Sequence, residues 1–215
     1  MKKVLITGGA QGLGKEIAEQ LKEDYEVVVL DIEKCELDGV TCHICDITDI
    51  GQLQKIVSEI GEVDILINNA GVYISGELTD NDYNDIAKVM FVNALGTINT
   101  TKAVLPQMKE RKSGKIVFVN SIRGVEAREE RSVYCASKWA VTGFLKSLRK
   151  EVEKYDIEVI GLYPGLMKTN LFENAGVKRD MSEAMDPKEV AEICKKAIED
   201  GDLVMEDIVF RKLHY

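Results

Sequence analysis

The chain has 215 residues, 45% of them hydrophobic and 30% charged, and 37 acidic against 28 basic side chains give a net charge of −9. That balance excludes wholesale disorder, a collagen-like chain and a disulfide mini-protein, and an acidic chain repels phosphate backbones, so no nucleic-acid partner is expected. No apolar run approaches the roughly 18 residues of a membrane span, and Gly8 and Gly9 interrupt the only N-terminal stretch that resembles a signal peptide. Five cysteines without framework spacing fit a reducing, cytoplasmic location.

Strand-length apolar runs alternate with helix-length amphipathic stretches along the whole chain. Val4–Ile6 runs into glycines, and Ile17, Ala18 and Leu21 then recur at helical spacing. Glu26–Leu30 carries three consecutive valines, the pattern of a strand buried on both faces. Val40–Cys45 is a third strand, followed by a helix through Leu53, Ile56, Val57 and Ile60. Val63–Ile67 is a fourth strand, closed by Asn68-Asn69-Ala70-Gly71. Helical pattern fills most of Asp80–Lys112, with breaks predicted near Gly96 and Pro106. Lys115–Val119, a long helix over Ser132–Tyr155, a strand at Glu158–Leu162, a helix opened by Asp-Pro at Pro187–Glu199 and a strand at Leu203–Phe210 complete the series. Regular alternation of this kind predicts one α/β domain over residues 1–215, a doubly wound parallel sheet (Rossmann fold) of about seven strands with helices on both faces.

The first turn, Thr7-Gly8-Gly9-Ala10-Gln11-Gly12-Leu13-Gly14, joins a strand to a helix. Glycines there allow backbone N–H groups to approach a pyrophosphate at the helix N-terminus. Asp31 closes the second strand; a carboxylate there accepts the adenosine ribose hydroxyls and repels a 2′-phosphate, which favours NAD over NADP, although Lys34 stands close by. In the long helix, Tyr134 and Lys138 are four residues apart and share a face. A phenol titrates near pH 10, so it needs a neighbouring cation to act as a base near neutrality. Ser121, just after the fifth strand, is placed to hold a substrate oxygen beside that phenol.

With these motifs in order, the chain resembles the short-chain dehydrogenase/reductase family in its single-domain form, from Lys2 to about Arg211. The resemblance implies that Gly8, Gln11, Gly12, Leu13 and Gly14 cradle the dinucleotide, that Asp46 and Ile47 contact adenine, and that Asn68, Ala70 and Gly71 border the cofactor. It implies further that Pro164, Gly165, Met167 and Thr169 hold the nicotinamide carboxamide. Tyr134 is then the general acid/base, Ser121 steadies the substrate oxygen, Lys138 binds the nicotinamide ribose and lowers the Tyr134 pKa, and Asn93 holds a water that relays protons through Lys138. The expected reaction is hydride transfer between NAD(H), with NADP(H) as the other possibility, and a small alcohol or carbonyl. The alternatives are an NADPH-dependent 3-oxoacyl thioester reductase and, from a different class, a non-catalytic nicotinamide sensor. No metal is needed. The family implies a homodimer through the long helix and the one around Asn93–Met108, or a homotetramer.

Three features depart from that pattern. The stretch between Ser121 and Tyr134, usually apolar in relatives, carries Arg123, Arg128 and Arg131 with Glu126, Glu129 and Glu130; it is either a solvated loop of paired charges or a wall facing a polar or anionic substrate. The substrate lid, about 170–186, is short, which fits a small substrate, an open cleft or a trimmed surface loop. Cys42 and Cys45, with Cys35 and His43 nearby, mimic a zinc motif, but their place in a predicted buried strand reads as free apolar thiols. Cys135 beside Tyr134 is either oxidation-sensitive or simply packed, and His214 in the terminus is assigned no role.

Overall fold

Runs of apolar residues with no polar alternation must be covered on both sides, and the sheet is built that way. The protein, described by a computed structural model over residues 1–199 and 205–212, forms a seven-stranded parallel sheet in the order β3-β2-β1-β4-β5-β6-β7. The strands are β1 (Lys3–Thr7), β2 (Glu26–Asp31), β3 (Thr41–Ile44), β4 (Ile65–Asn68), β5 (Gly114–Val119), β6 (Ile157–Pro164) and β7 (Asp207–Phe210). The helices are α1 (Gly12–Leu21), α2 (Ile50–Ile60), α3 (Tyr83–Met90), α4 (Thr97–Arg111), α5 (Ser132–Val152) and α6 (Pro187–Ile198). One core layer packs Val4, Ile6, Val27 and Val29 of the strands under Ile17, Leu21, Val190 and Cys194 of α1 and α6. The other packs Leu5, Val28, Leu30 and Phe118 under α2, α4 and α5 through Leu53, Val104, Met108, Leu145 and Leu148. Alternate residues of one strand therefore feed opposite cores, so a one-residue slip in register would expose both.

Local chemistry explains most boundaries. Asp49 caps α2 by accepting from the Gln52 N–H, and Asp186 with Glu189 forms a capping box ahead of Pro187 on α6. Lys112 ends α4 in the left-handed region. Pairing of β4 starts at Ile65 rather than Val63, whose N–H donates instead to the Gln107 side chain at 2.8 Å. The last predicted strand begins at Leu203, which with Val204 lies outside the described residues, as does His214; pairing with β6 runs from Asp207 to Phe210.

Two expected helix breaks do not occur. Gly96 closes a π-helical segment, Phe91–Gly96, that joins α3 to α4 without interruption, and Pro106 sits inside α4. A Cβ at Gly96 would lie 2.6 Å from the Ile47 side chain, which would have to shift to admit it. Hydroxyls of Thr97, Thr100 and Thr101 donate back to the carbonyls of Asn93, Gly96 and Thr97, four residues earlier in each case. The cysteine reading also changes. Cys42 is disulfide-bonded to Cys35 rather than a free core thiol, whereas Cys45 lies just past β3 as a buried thiol that desolvation pushes up to about 11.

Candidate active site

Strand order reverses between β1 and β4, and the loops leaving their C-terminal ends diverge to open a cleft. Those loops are tied together first. The Thr7 hydroxyl accepts from the N–H groups of Asn69 and Ala70, both at 3.1 Å, and the Asn69 amide donates to the carbonyls of Thr7 and Gly8 at 3.0 and 2.8 Å. Gly8 has φ +68° and a Cβ there would sit 2.7 Å from Ala70 Cα, so the close approach of the two loops admits only glycine. Gly14 packs still tighter, with the Gly8 carbonyl oxygen 2.2 Å from where its Cβ would be. The next wall comes from β2. Asp31 is buried, and its carboxylate accepts from the N–H of Ala10 at 2.9 Å and of Glu33 at 3.0 Å, which fixes it against the glycine turn. Lys34 pairs with Glu36. Asp46 accepts from the N–H and hydroxyl of Thr48, closing the turn that presents Ile47.

At the other end of the cleft, α5 carries Tyr134 and Lys138, both buried. Lys138 Nζ lies 5.9 Å from the Tyr134 ring centroid and 3.4 Å from the Val119 carbonyl oxygen, to which it donates. Gly71 borders that ammonium: a Cβ there would lie 3.7 Å from it, in ordinary contact. Burial pushes the Tyr134 phenol well above its ordinary value, opposed by a hydrogen bond from Ser121 and by the charge of Arg123. Burial likewise lowers Lys138, to about 8. Desolvation outweighs the lowering by Ser121 and Arg123, so the neutral phenol is the favoured form.

Asn93 is 1% exposed and its amide is fully committed. Its Oδ1 accepts from the Val72 N–H at 2.8 Å, and its Nδ2 donates to the Val72 carbonyl at 2.9 Å and to Ser137 Oγ at 3.0 Å. The side chain therefore pins the β4 loop to α5 rather than facing the cleft, and the Asn93 backbone carbonyl accepts from the Thr97 hydroxyl.

A cleft of about 1300 Å³ runs between these two ends. Gly8, Gln11, Gly12, Leu13, Asp31, Asp46, Ile47, Ala70, Gly71, Ser121, Tyr134, Lys138, Pro164, Gly165, Met167 and Thr169 all line it. Gly14, Asn68 and Asn93 stand outside that lining; Asn68 instead donates to Thr101 within the core, and its neighbour Asn69 takes the place at the cleft. The segment after β6 closes one side, where Met167 bridges to Met185, Gln11 accepts from Asn170, and the lid lays Phe172 edge-on to Tyr73 with centroids 4.7 Å apart. Tyr73 in turn meets Tyr134 at 4.8 Å, and its hydroxyl accepts from Arg131 at 2.6 Å. Sequence reasoning missed Tyr73, Phe172 and the structural role of Asn69. Asn69 stood inside a quoted motif, whereas nothing in the spacing marked the two aromatics. A glycine turn that crowds out any Cβ, a carboxylate fixed at the end of β2 and a buried phenol–ammonium pair at the far end together fit an extended dinucleotide.

Comparison with known proteins agrees with that geometry. A family model described as short chain dehydrogenase matches residues 2–180. "Dehydrogenase/reductase SDR family member 7B" of Bos taurus is 37% identical over 80% of this chain, which spans 60% of that protein's length. "Carbonyl reductase family member 4" of Xenopus tropicalis is 34% identical over 87% of this chain and 86% of its own. Among solved structures, ElxO with NADP bound superposes with a TM-score of 0.85 at 29% identity, covering 97% of this chain and 96% of the other.

Proposed function

This chain belongs to the short chain dehydrogenase family, and from that membership we propose that it is an oxidoreductase interconverting a small carbonyl compound and its alcohol with a nicotinamide cofactor. The observation that carries the reading is the continuity of one cleft, from the glycine turn and Asp31 to Ser121, Tyr134 and Lys138. A bound nicotinamide supplies the hydride donor or acceptor. Gly8, Gln11, Gly12 and Leu13 receive its pyrophosphate, Asp31 its adenosine ribose, Asp46 and Ile47 its adenine, and Pro164, Gly165, Met167 and Thr169 its carboxamide. Lys138 orients the second ribose, Ser121 donates to the substrate oxygen, and Tyr134 exchanges a proton with that oxygen. Burial keeps the phenol protonated, the form that gives a proton during carbonyl reduction.

The preference within the cofactor pair is for NAD(H). Asp31 presents a fixed carboxylate where a 2′-phosphate would sit, Glu33 adds a second negative charge, and Lys34 is occupied by Glu36. ElxO has a structure with NADP bound; the NAD(H) preference proposed here rests on this chain's own side chains and is tested on them. Calorimetric titration with NADH and NADPH is expected to give at least about tenfold tighter binding of NADH, the worth of one charge-assisted contact. Asp31→Ser should erase the difference; tighter NADPH binding by the wild type would refute the assignment. For assembly, the exposed Phe91, Leu95 and Trp139 on the π-helical segment and α5, beside the uncovered Gly143, form the face through which a dimer is proposed.

A further inference from the structure

The charged segment between Ser121 and Tyr134 is sorted by the fold into two kinds of arginine. Arg128 is exposed and outside the cleft, as are Glu129 and Glu130. Arg123 and Arg131 line the cleft. The Arg123 side chain is 12% exposed, yet its partners are weak: the Ala127 carbonyl at 3.5 Å and Glu126 at 4.0 Å, a carboxylate that Arg211 also engages at 3.4 Å. Among the described residues Arg131 bonds only neutral oxygens, the Tyr73 hydroxyl at 2.6 Å and the Glu129 carbonyl at 3.2 Å. Acids that line the same cleft from the β4–α3 side, Asp80, Asp82 and Asp85, are exposed, and Asp82 is committed to capping α3. A guanidinium withdrawn from water without a close carboxylate has unspent capacity for one.

We propose that Arg123 and Arg131 form an anion subsite beside Tyr134, so that the substrate is a small ketone or secondary alcohol bearing a carboxylate. The proposal rests on the oxidoreductase reading above and names its substrate class. Both arginines line the cleft with the reacting phenol and are linked to it through one neighbour each: Tyr73, whose hydroxyl accepts from Arg131, meets the Tyr134 ring edge-on at 4.8 Å, and the Arg123 backbone N–H donates at 3.1 Å to the hydroxyl of Ser121. In reduction the carbonyl carbon gains a hydride from the reduced nicotinamide, which is oxidised, the oxygen gains the Tyr134 proton, and the carboxylate passes through unchanged on the two guanidinium groups. The aromatic wall of Tyr73 and Phe172 and the short lid suit a compact molecule.

The test begins with binding, which needs no turnover. Wild-type protein saturated with oxidised cofactor is titrated calorimetrically with benzoate and with benzamide. Benzoate is expected to bind at least about tenfold tighter, as one charge-assisted contact provides. In Arg131→Met and Arg123→Met that ratio should fall toward one, and Arg131→Lys should restore part of it. Either methionine variant suffices should the other fail to fold. Kinetics then compare benzoylformate with its methyl ester, and dihydroxyacetone phosphate with dihydroxyacetone, as ratios of kcat/KM within each pair. Equal binding of benzoate and benzamide by a protein that binds cofactor overturns the subsite and leaves the oxidoreductase reading standing. A phosphate preference without a carboxylate preference overturns the carboxylate assignment. Failure to bind either nicotinamide cofactor overturns the oxidoreductase reading, and the subsite falls with it.

Discussion

Replacing Asn93 by alanine isolates the contribution of one buried side chain to the shape of the cleft. The substitution removes three hydrogen bonds of 2.8–3.0 Å, two to the Val72 backbone and one to Ser137. Val72 is only half-buried, so water can partly replace its lost partners, whereas Ser137 is fully buried but keeps its bond to the Tyr134 carbonyl at 2.8 Å. At about 1 kcal/mol net per bond, with somewhat more for partners left without water, the loss comes to roughly 2–4 kcal/mol. For a chain of this size that lowers Tm by roughly 5–15 °C. Urea denaturation with an unchanged slope m measures the loss directly. Because Val72 follows Gly71, which borders Lys138 Nζ, cofactor affinity should weaken along with stability. A loss below about 1 kcal/mol at constant m would show that the loop is held by its other contacts, the Thr7–Asn69 ties among them, and would refute the role given to Asn93.

Tyr134→Phe removes the proton that the substrate oxygen exchanges and should reduce kcat by about 10²–10⁴-fold while calorimetry shows cofactor binding intact; near-normal turnover would remove Tyr134 from the mechanism. Lys138 carries a pH signature. Burial lowers it to about 8, whereas the unfolded chain holds the proton to its ordinary value of 10.5, so the unfolded state binds more protons between those values and stability should climb with pH across that window. Lys138→Met should therefore be more stable than wild type at pH 7, by on the order of 2–4 kcal/mol, yet inactive, and a flat difference in urea midpoint from pH 7 to 10.5 would refute the burial argument. Arg149→Ala should loosen the β6–β7 edge. Its guanidinium donates to the carbonyls of Val159 and Glu206 at 3.0 Å each and to Asp207 at 2.9 Å, so a loss of about 2–3 kcal/mol is expected. Faster amide exchange confined to Asp207–Phe210 checks it.

The sheet was legible because its central strands β1, β2, β4, β5 and β6 are apolar on both faces, the pattern a doubly covered parallel sheet requires. Glu26–Leu30 was readable from its three valines alone, and the alternation with amphipathic helices followed. What the sequence obscured were places where a side chain overrules the local signal. Gly96 and Pro106 read as breaks, but a π-helical segment runs through Gly96 and α4 continues past Pro106. Cys42 read as a core thiol until the fold placed Cys35 against it.

The site divides along a similar line. The glycine turn, Asp31, Ser121, Tyr134 and Lys138 were visible because each sits at a strand end or on one helix face, where spacing in sequence becomes proximity in space. Asn93 was visible too, but its orientation was not: it lies within the π-helical segment, and its amide faces Val72 and Ser137. Tyr73, Phe172 and Arg131 come from three separate loops, joined only by ring contacts and one hydrogen bond that no spacing encodes. Loops of this kind shape the substrate end, so the chemistry of the reaction was legible from the scaffold whereas the substrate had to be read from the walls. Arg123 and Arg128 make the point together. They stand five residues apart with the same charge in the same segment, and only the fold turns one into the cleft and leaves the other in solvent.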